Sequence, residues 1–261
     1  MGFQLSEFSL MDISRQRKRL LARVKMKGTR SLPTGIKKGL FQGDACYCPV
    51  CKSTIRQFEP FGGMDSVWCP VCAAMRWQRL AWLVLQQKTN LFDGEPIRLL
   101  HIAPEIAFEP RFKQLAHLDY VTADLYEPKV MVKMDVTENP FPDASFNAVF
   151  CSHVMEHIPD DHKALSEFFR VLAPGGWAVF IVPIRMKKLT DEDLSIEDPK
   201  VREKRFGQHD HVRFYGKDFE DRLSAAGFQV TLFRPEDVAA PNEHSKLGLS
   251  HKDVVFYCEK P

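Results

Sequence analysis

The chain has 261 residues, with 36 Lys and Arg against 34 Asp and Glu, so its formal net charge is only +2 and its overall charge predicts no polyanionic partner. Hydrophobic residues make up 44% of the chain, which suits one domain of ordinary size with a small appendage. No apolar run approaches the 18 residues of a membrane-spanning helix. The amino-terminal residues lack a basic region followed by a long apolar core, so we expect a cytoplasmic protein.

The first 45 residues are basic. Between Arg15 and Lys38 the chain has ten Lys or Arg residues and no acid. A helix over this segment would place four aliphatic side chains on one face: Ile13, Leu20, Leu21 and Val24. Such a basic amphipathic helix packs on its own domain or contacts an anionic membrane surface or RNA. Residues 29–38, which include Pro33 and Gly35, are predicted to form a loop.

Four of the seven cysteines form two Cys-Pro-Val-Cys pairs, namely Cys48, Cys51, Cys69 and Cys72. Seventeen residues separate the pairs, a spacing typical of structural zinc sites in which two tight turns present four thiolates. Disulfides are the competing interpretation, but nothing in the sequence indicates an oxidising compartment. The pattern therefore predicts a zinc ribbon over residues 46–74, followed by an apolar helix over residues 73–90.

Beyond residue 90, short apolar runs alternate with amphipathic helical stretches. This alternation is typical of βαβ units around a parallel sheet, whose strands are buried on both faces. Ligands bind such sheets beyond the carboxyl ends of the strands. We predict strands near 97–102, 118–123, 130–134, 146–151 and 176–183, and helices near 108–116, 160–172 and 216–226.

Several motifs follow one another in this region. Asp124 ends the second apolar run, the pair Asp135-Val136 follows, and the turn Pro174-Gly175-Gly176 precedes the fifth predicted strand. Their order and spacing resemble the cofactor half of class I S-adenosylmethionine (SAM)-dependent methyltransferases. The resemblance implies a Rossmann-like α/β fold, with helices on both faces of a mostly parallel seven-stranded sheet. Together with the charge and cysteine patterns, it divides the chain into a basic segment (1–45), the zinc ribbon (46–74) and a methyltransferase domain (75–261).

The resemblance assigns the cofactor contacts. It implies that Asp124 binds the ribose and that Asp135 takes the exocyclic amine of the adenine, with Leu125, Val136 and Ser152 beside them. The usual acid and glycine-rich loop of the first motif are altered here. That stretch of the chain contributes His101, Ala103, Pro104 and Glu105. Alanine still permits close approach of the backbone to a ligand, and Glu105 is expected near the ammonium of the methionine moiety.

Candidate catalytic residues follow the fourth predicted strand and precede helix 216–226. They are His153, Glu156, His157, His209 and His211, because histidine can remove a proton near neutral pH. The first three resemble the Glu-x-x-Glu-His cluster that binds a divalent ion in small-RNA 3′-terminal 2′-O-methyltransferases and some ubiquinone-pathway O-methyltransferases. His153 replaces the first Glu of that cluster. The alternative to a simple base is therefore a second divalent ion, with Mn²⁺, Fe²⁺ or Zn²⁺ favoured over Mg²⁺.

The sequence is interpreted as a SAM-dependent methyltransferase that methylates oxygen or nitrogen of a small molecule, a sugar or a lipid-linked glycan. Residues 184–215, a long charged insertion, are predicted to cover the acceptor site. An RNA methyltransferase is one alternative, although only Lys52 and Arg56 are cationic between the cysteine pairs. The other alternative is a non-catalytic binding protein that has lost the glycine loop.

Overall fold

The computed structural model describes residues 28, 29, 31–62 and 64–261, so the predicted basic helix lies outside the described residues. The chain divides into two compact units. The first runs to Leu83 and also includes Ile106–Phe108 and Pro235–Asp253. The second comprises Val84–Glu105, Glu109–Arg234 and Val254–Pro261. Nothing in the sequence pattern indicated that residues 235–253 fold with the cysteine-rich part of the chain.

The helices are α1 (Thr34–Phe41), α2 (Arg76–Lys88), α3 (Glu109–Phe112), α4 (Asp161–Val171), α5 (Pro199–Phe206), α6 (Phe219–Ala225) and α7 (His244–Leu247). The strands are β1 (Gln42–Cys48), β2 (Ser53–Ile55), β3 (Glu59–Phe61), β4 (Met64–Trp68), β5 (Ile97–Ile102), β6 (Leu118–Asp124), β7 (Val132–Lys133), β8 (Phe146–Ser152), β9 (Leu172–Ile181), β10 (Ile184–Arg185), β11 (Asp191–Glu192), β12 (Arg213–Gly216), β13 (Gln229–Phe233) and β14 (Val255–Glu259). Short 3₁₀ turns span Val136–Glu138, Met155–His157, Pro235–Asp237 and Pro241–Glu243. No helix of the described residues is both long and apolar enough to cross a membrane.

The second unit is built on a seven-stranded sheet of order β13-β14-β9-β8-β5-β6-β7. The five strands from β9 to β7 run parallel, whereas β14 pairs antiparallel with both β9 and β13. Its central strands are almost wholly buried, which explains their continuous apolar sequence. This is the predicted α/β sheet, and the carboxyl ends of its parallel strands lie along one edge.

Helix α4 covers this sheet next to its carboxyl edge. Asp160 caps its first turn by accepting the backbone N–H of Lys163 at 2.9 Å. One face of the helix buries Ala164, Leu165 and Phe168 in the main core, where they pack with residues of β8 and β9. The segment that joins β8 to α4 is therefore fixed at both ends, by the sheet on one side and by the capped helix on the other.

Three predictions about local structure need correction. The helix predicted near 108–116 is only Glu109–Phe112, because the chain then closes successive turns, with the N–H of Leu115 bonded to Phe112 O and that of Leu118 to Leu115 O. The third strand is shorter than predicted. The fifth strand begins at Leu172, so Pro174-Gly175-Gly176 lies inside β9 and not before it; the pairing of β9 with β8 shifts register there, and Gly175 takes a φ of +75°.

The predicted loop over residues 29–38 is also wrong in its second half, because α1 begins at Thr34. Pro33 directly precedes the helix, a position where its missing N–H and fixed φ do not interrupt helical hydrogen bonds. The other end of α1 is held by Arg56, whose Nη2 donates to Leu40 O at 2.7 Å and whose backbone N–H donates to Phe41 O at 3.0 Å.

The charged insertion over residues 184–215 is folded. Strands β10, β12 and β11 form a three-stranded sheet in that order, and α5 lies between β11 and β12 in the chain. Asp198 caps the start of α5, and Gly207 ends the helix in a left-handed conformation at φ +93°. Arg205 of α5 binds both Asp191 and Asp193 at 2.8 Å, which ties the helix to β11.

Candidate active site and cysteine cluster

A cavity of about 640 Å³ opens in the second unit beyond the carboxyl ends of β5, β6 and β8. This is the edge at which a parallel sheet of this kind binds ligands. The cavity is lined by Ile102, Ala103, Asp124, Leu125, Tyr126, Met134, Asp135, Val136, Thr137, His153, Val154, His157, Ile158, Pro159, Asp160 and Asp210.

Asp124 is the last residue of β6, and its carboxylate is held by the turn that follows. Oδ1 accepts the backbone N–H groups of Tyr126 at 2.6 Å and of Glu127 at 2.7 Å. Both bonds go to Oδ1, so within the described part of the chain Oδ2 has no hydrogen bond. A fixed carboxylate with one oxygen facing a cavity can accept hydrogen bonds from a diol such as a ribose.

Asp135 lies across the same cavity at the start of a 3₁₀ turn. Its Oδ1 accepts both the backbone N–H and the hydroxyl of Thr137, each at 2.8 Å. The neighbouring side chains of Met134 and Val136 are buried and line the cavity. The site therefore combines an apolar surface with an exposed acceptor at its rim, an arrangement that suits a purine bearing an exocyclic amine.

The altered first motif forms a different structure from the one expected. His101 is completely buried, with Nδ1 2.8 Å from the Tyr120 hydroxyl and Nε2 2.5 Å from Glu105 Oε2. The carboxylate of Glu105 accepts, so Nε2 carries the proton and Nδ1 accepts from the Tyr120 hydroxyl. Ala103 lines the cavity in a left-handed conformation at φ +48°, which glycine adopts more readily. This hydrogen bond of Glu105 anchors the loop, and the expected position of Glu105 near the ammonium of a methionine moiety stays a prediction.

The turn after β8 gathers three of the predicted catalytic residues. His153 and His157 line the cavity and are partly exposed, whereas Glu156 is fully buried beneath them. The Oε1 atom of Glu156 is 3.0 Å from His153 Nδ1 and 4.0 Å from His211 Nε2. Its Oε2 has no hydrogen-bond partner in the described residues.

His211 reaches this cluster from the insertion. Its Nδ1 donates to Phe206 O at 3.1 Å, so the neutral ring presents the Nε2 lone pair to Glu156. Burial lowers the pKa of His211, which favours this neutral form. His157 packs edge-on against His211 with ring centroids 4.7 Å apart, and its Nδ1 lies 3.3 Å from Asp210 Oδ2.

The buried guanidinium of Arg213 holds the turn that carries His157. It donates to the carbonyl oxygens of Met155, Ile158 and Pro159, and the backbone N–H of Val212 donates to Glu156 O at 3.0 Å. The Tyr215 hydroxyl donates to Asp161 Oδ2 at 2.8 Å from the same strand, β12. The insertion and the cavity wall are therefore one hydrogen-bonded structure.

Not every predicted site residue reaches the cavity. Ala103, Asp124, Leu125, Asp135 and Val136 line it, whereas His101, Pro104, Glu105 and Ser152 do not. His209 is 68% exposed and belongs neither to the cavity lining nor to the cluster around Glu156. The sequence analysis missed Tyr126, Thr137, Asp160 and Asp210. Asp210 could have been found, because it stands between two histidines that were already candidates.

The four paired cysteines of the first unit lie together. Cys48 Sγ is 3.7 Å from Cys72 Sγ, and Cys51 Sγ is 3.8 Å from Cys69 Sγ. Four ligands at the tetrahedral Zn–S distance of about 2.3 Å are separated by about 3.8 Å, whereas disulfide sulfurs are about 2.05 Å apart. The sulfurs therefore have the spacing of a tetrahedral metal site, and Cys46 is not part of the group.

Arg79 lies buried beside this cysteine cluster. Its five N–H groups all donate to backbone carbonyls, and its guanidinium stacks on Phe58 at 3.6 Å. The acceptors lie before Cys69, after Cys72 and in the α7 turn: Ser66, Val67, Ala74, Leu247 and Gly248. Burial lowers the pKa of Arg79, and the nearby thiols of Cys48, Cys69 and Cys72, when ionised, oppose that shift. A buried cation of this kind favours thiolates in the cluster.

The strand order, the cavity at the carboxyl edge and the two carboxylates that line it are those expected of a class I methyltransferase fold. Residues 102–180 match the family described as "Methyltransferase domain", a stretch that contains β5 through most of β9. This stretch of the chain is therefore similar to methyltransferase domains.

Curated relatives match parts of this domain. A ubiquinone biosynthesis O-methyltransferase of Paracidovorax citrulli is 36% identical over 26% of this chain and 27% of its own length. A probable S-adenosylmethionine-dependent methyltransferase of Mycolicibacterium smegmatis is 31% identical over 40% of this chain and 37% of its own length. A demethylmenaquinone methyltransferase of Deinococcus radiodurans is 30% identical over 46% of this chain and 50% of its own length. The chain thus spans half or less of the length of these relatives.

Proposed function

We propose that the protein transfers the methyl group of SAM to oxygen or nitrogen of a small-molecule, sugar or lipid-linked glycan acceptor. The observation that carries this proposal is the carboxylate of Asp124, fixed by two backbone N–H groups at the mouth of the cavity. The family match over residues 102–180 and the methyltransferase names of the relatives support it.

The cavity residues fit SAM in three places. Oδ2 of Asp124 would accept the ribose hydroxyls, and Asp135 would accept the adenine amine above Met134 and Val136. The methionine end would lie along Ala103, whose left-handed backbone and small side chain do what a loop glycine usually does. The Tyr120–His101–Glu105 hydrogen bonds would keep this loop in place.

SAM supplies a methyl group already activated by its positive sulfur, so the protein must align the acceptor and, for a hydroxyl, remove its proton. His153 and His157 are placed for this role because both line the cavity. Asp210 lies near His157 Nδ1 and would orient that ring, leaving Nε2 as the atom that takes the proton.

The reaction is tested by incubating the full chain with methyl-labelled SAM and separate pools of small metabolites, extracted lipids and RNA. We expect label in the small-molecule or lipid pool, and much less label with Asp124→Ala at the same SAM concentration. Label in RNA alone would favour the RNA methyltransferase. A folded chain that neither binds SAM nor transfers label would favour the non-catalytic binding protein.

We also propose that Cys48, Cys51, Cys69 and Cys72 hold one structural Zn²⁺. The sulfur separations near 3.7 Å support this, as does the buried positive charge of Arg79 beside a site that would carry two net negative charges. Elemental analysis of reductant-treated, folded protein should find one zinc per chain, and finding none would overturn the proposal.

A second mode of acceptor activation is favoured by one observation in the Glu156 cluster. His211 Nε2 and the Glu156 carboxylate are both acceptors, yet they face each other at 4.0 Å while Glu156 Oε2 stays buried without a partner. One possible ligand atom from each of Glu156, His157 and His211 lies within 4.8 Å of the other two. The carbonyl of Phe206 and the carboxylate of Asp210 would orient the two rings as outer partners of metal-bound histidines usually do.

A divalent ion there would lower the pKa of an acceptor hydroxyl. Two imidazoles and one carboxylate suit Mn²⁺, Fe²⁺ or Zn²⁺. The test is Mn²⁺ titration of the zinc-loaded chain, followed by electron paramagnetic resonance. We expect one bound Mn²⁺ that is lost in Glu156→Gln and kept in Glu109→Gln, an acid away from the cluster. Equal Mn²⁺ binding by both variants would contradict this site.

A further inference from the structure

We propose that Glu192 of β11 is a positioning residue that sets the place of His157 through Arg213. This inference rests on the proposed function, in which His157 removes the proton of the acceptor. Glu192 is 38% exposed, and among the described residues it lies outside the cavity lining. Its effect on the reaction therefore passes through the side chains that it binds.

The backbone on both sides of His157 is held by β12 of the insertion. Residues 155–159, which we call the His157 turn, begin with the 3₁₀ turn Met155–His157. The guanidinium of Arg213 donates to three carbonyl oxygens of the His157 turn, those of Met155, Ile158 and Pro159. Carbonyls at the end of a helical turn lack partners within it, and a guanidinium can supply several donors at once. A shift of Arg213 therefore moves the backbone that carries His157.

Two carboxylates decide where the Arg213 guanidinium lies. Its Nε donates to Glu192 Oε2 at 2.9 Å, whereas Asp161 Oδ2 is 3.8 Å away. Arg213 and Asp161 are 1% and 2% exposed, so water screens their attraction little. Without the charge of Glu192, Arg213 keeps only Asp161 of these two acids. We expect it then to move toward Asp161 and away from the carbonyls of the His157 turn.

Such a shift should affect the transfer step and spare the cofactor. A base must lie within hydrogen-bond distance of the proton that it takes, and a displacement of about 1 Å can lower a rate about a hundredfold. The proposed SAM contacts are made by Asp124 and Asp135, whose carboxylates are held by their own turns. The loss of Glu192 should therefore lower the rate of methyl transfer and leave SAM affinity unchanged.

The experiment measures label transfer from methyl-labelled SAM to the metabolite or lipid extract that accepts label from the wild type, with SAM affinity measured by calorimetry. Glu192→Gln keeps the size of the side chain and removes its charge, so it should transfer label about 10- to 100-fold more slowly. Glu192→Asp keeps the charge and should retain most of the rate. The matched control is Asp191→Asn, a neighbour in β11 that is 37% exposed and pairs with Arg205. It should transfer label at the wild-type rate.

Double variants separate positioning from a general loss of structure. Glu192→Gln should not slow transfer further when it is added to His157→Ala, because the group that it positions is already absent. Added to His153→Ala, it should slow transfer by its usual factor. An equal slowing in both backgrounds would overturn the inference, as would a wild-type rate in Glu192→Gln. No transfer by the wild type would overturn the proposed function itself, and this inference with it.

Discussion

Arg213 and Glu192 form an ion pair inside the insertion, and the same Arg213 guanidinium also holds the wall of the cavity. Arg213 is 1% exposed in β12, and its Nε donates to Oε2 of Glu192 in β11 at 2.9 Å. The other nitrogens of the same guanidinium bind the turn that carries His157. Movement of β11 away from β12 would therefore disturb the cavity wall, and several expected outcomes depend on this link.

The first expected outcome concerns the sensitivity of the insertion to acid. Arg222, and then Arg213, lowers the pKa of Glu192 to about 2. A carboxylate whose folded pKa lies below its unfolded value of about 4.3 contributes stability above that value and loses it as the pH falls toward 2. We expect exchange protection of residues 184–216 to fall between about pH 4.5 and pH 2. In Glu192→Gln the protection should be lower at pH 7 and should change less over that range.

Asp193 provides the control for this experiment. It also pairs with an arginine, but that partner, Arg205, is 39% exposed, whereas Arg213 is 1% exposed. Asp193→Asn should leave the acid response of residues 213–216 close to that of the wild type, because surface pairs contribute little. An identical response of wild type and Glu192→Gln would show that the Arg213–Glu192 pair does not hold the insertion.

The second expected outcome concerns the insertion as a cover for the acceptor. Residues 184–215 should gain protection from hydrogen exchange when S-adenosylhomocysteine and an acceptor are both bound, because long functional connections commonly close over a site. The exchange of β13, in the same unit, serves as the reference. Unchanged protection of the insertion in the ternary complex would count against a lid.

The third expected outcome concerns the retention of zinc by the cysteine cluster. Cys69→Ser should loosen residues 46–72 and speed the loss of zinc to a chelator. Arg79→Met should do the same while leaving all four thiols in place, because it removes the buried positive charge and five hydrogen bonds to carbonyls. Loss of such a network typically costs about 3–5 kcal/mol. Arg56→Met, which removes an exposed arginine of the same unit, should leave zinc release unchanged.

The outcome for Arg79→Met separates charge from packing. If Arg79→Lys retains zinc nearly as well as the wild type, the charge is what matters. If both substitutions leave zinc release unaltered, the thiolates do not need a buried counter-charge, and the role assigned to Arg79 in the zinc site is wrong.

The fourth expected outcome concerns the candidate catalytic histidines. His153→Ala and His157→Ala should lower kcat by about 10²–10⁴-fold if either residue is the base, while SAM affinity changes little. His211→Ala should lower kcat as well if the Glu156 cluster holds a metal ion. His209→Ala is the matched control, because this side chain is exposed outside the cavity. Full turnover in His153→Ala, His157→Ala and His211→Ala would place acceptor activation elsewhere.

The sequence was informative where a residue's role depends on its place at the end of a strand. Asp124 and Asp135 could be located because the apolar runs fix the strands of a parallel sheet and the sheet fixes its ligand edge. The two Cys-Pro-Val-Cys pairs were informative for a similar reason, since each short turn brings its own two sulfurs together without help from distant residues.

The sequence was less informative where side-chain contacts decide the structure. The pattern alone could not show that Glu105 would bind His101, because both side chains were expected to face a ligand. Nor could it show that residues 235–253 join the first unit, where Arg79 donates to the carbonyls of Leu247 and Gly248. Only glycine fits at position 248 in this packing, because a Cβ atom there would lie 2.4 Å from the ring of Phe58.

Calorimetric titration of the full chain with SAM tests the central claim most directly, with Asp124→Ala and Asp119→Ala measured beside the wild type. Loss of a charge-assisted acceptor typically costs about 1.5–3 kcal/mol, so Asp124→Ala should bind SAM roughly 10- to 100-fold more weakly. Asp119, an exposed acid at the other end of β6, should be replaceable without effect. A folded wild type that does not bind SAM, or equal affinity in all three proteins, would contradict the assignment of this cavity to SAM.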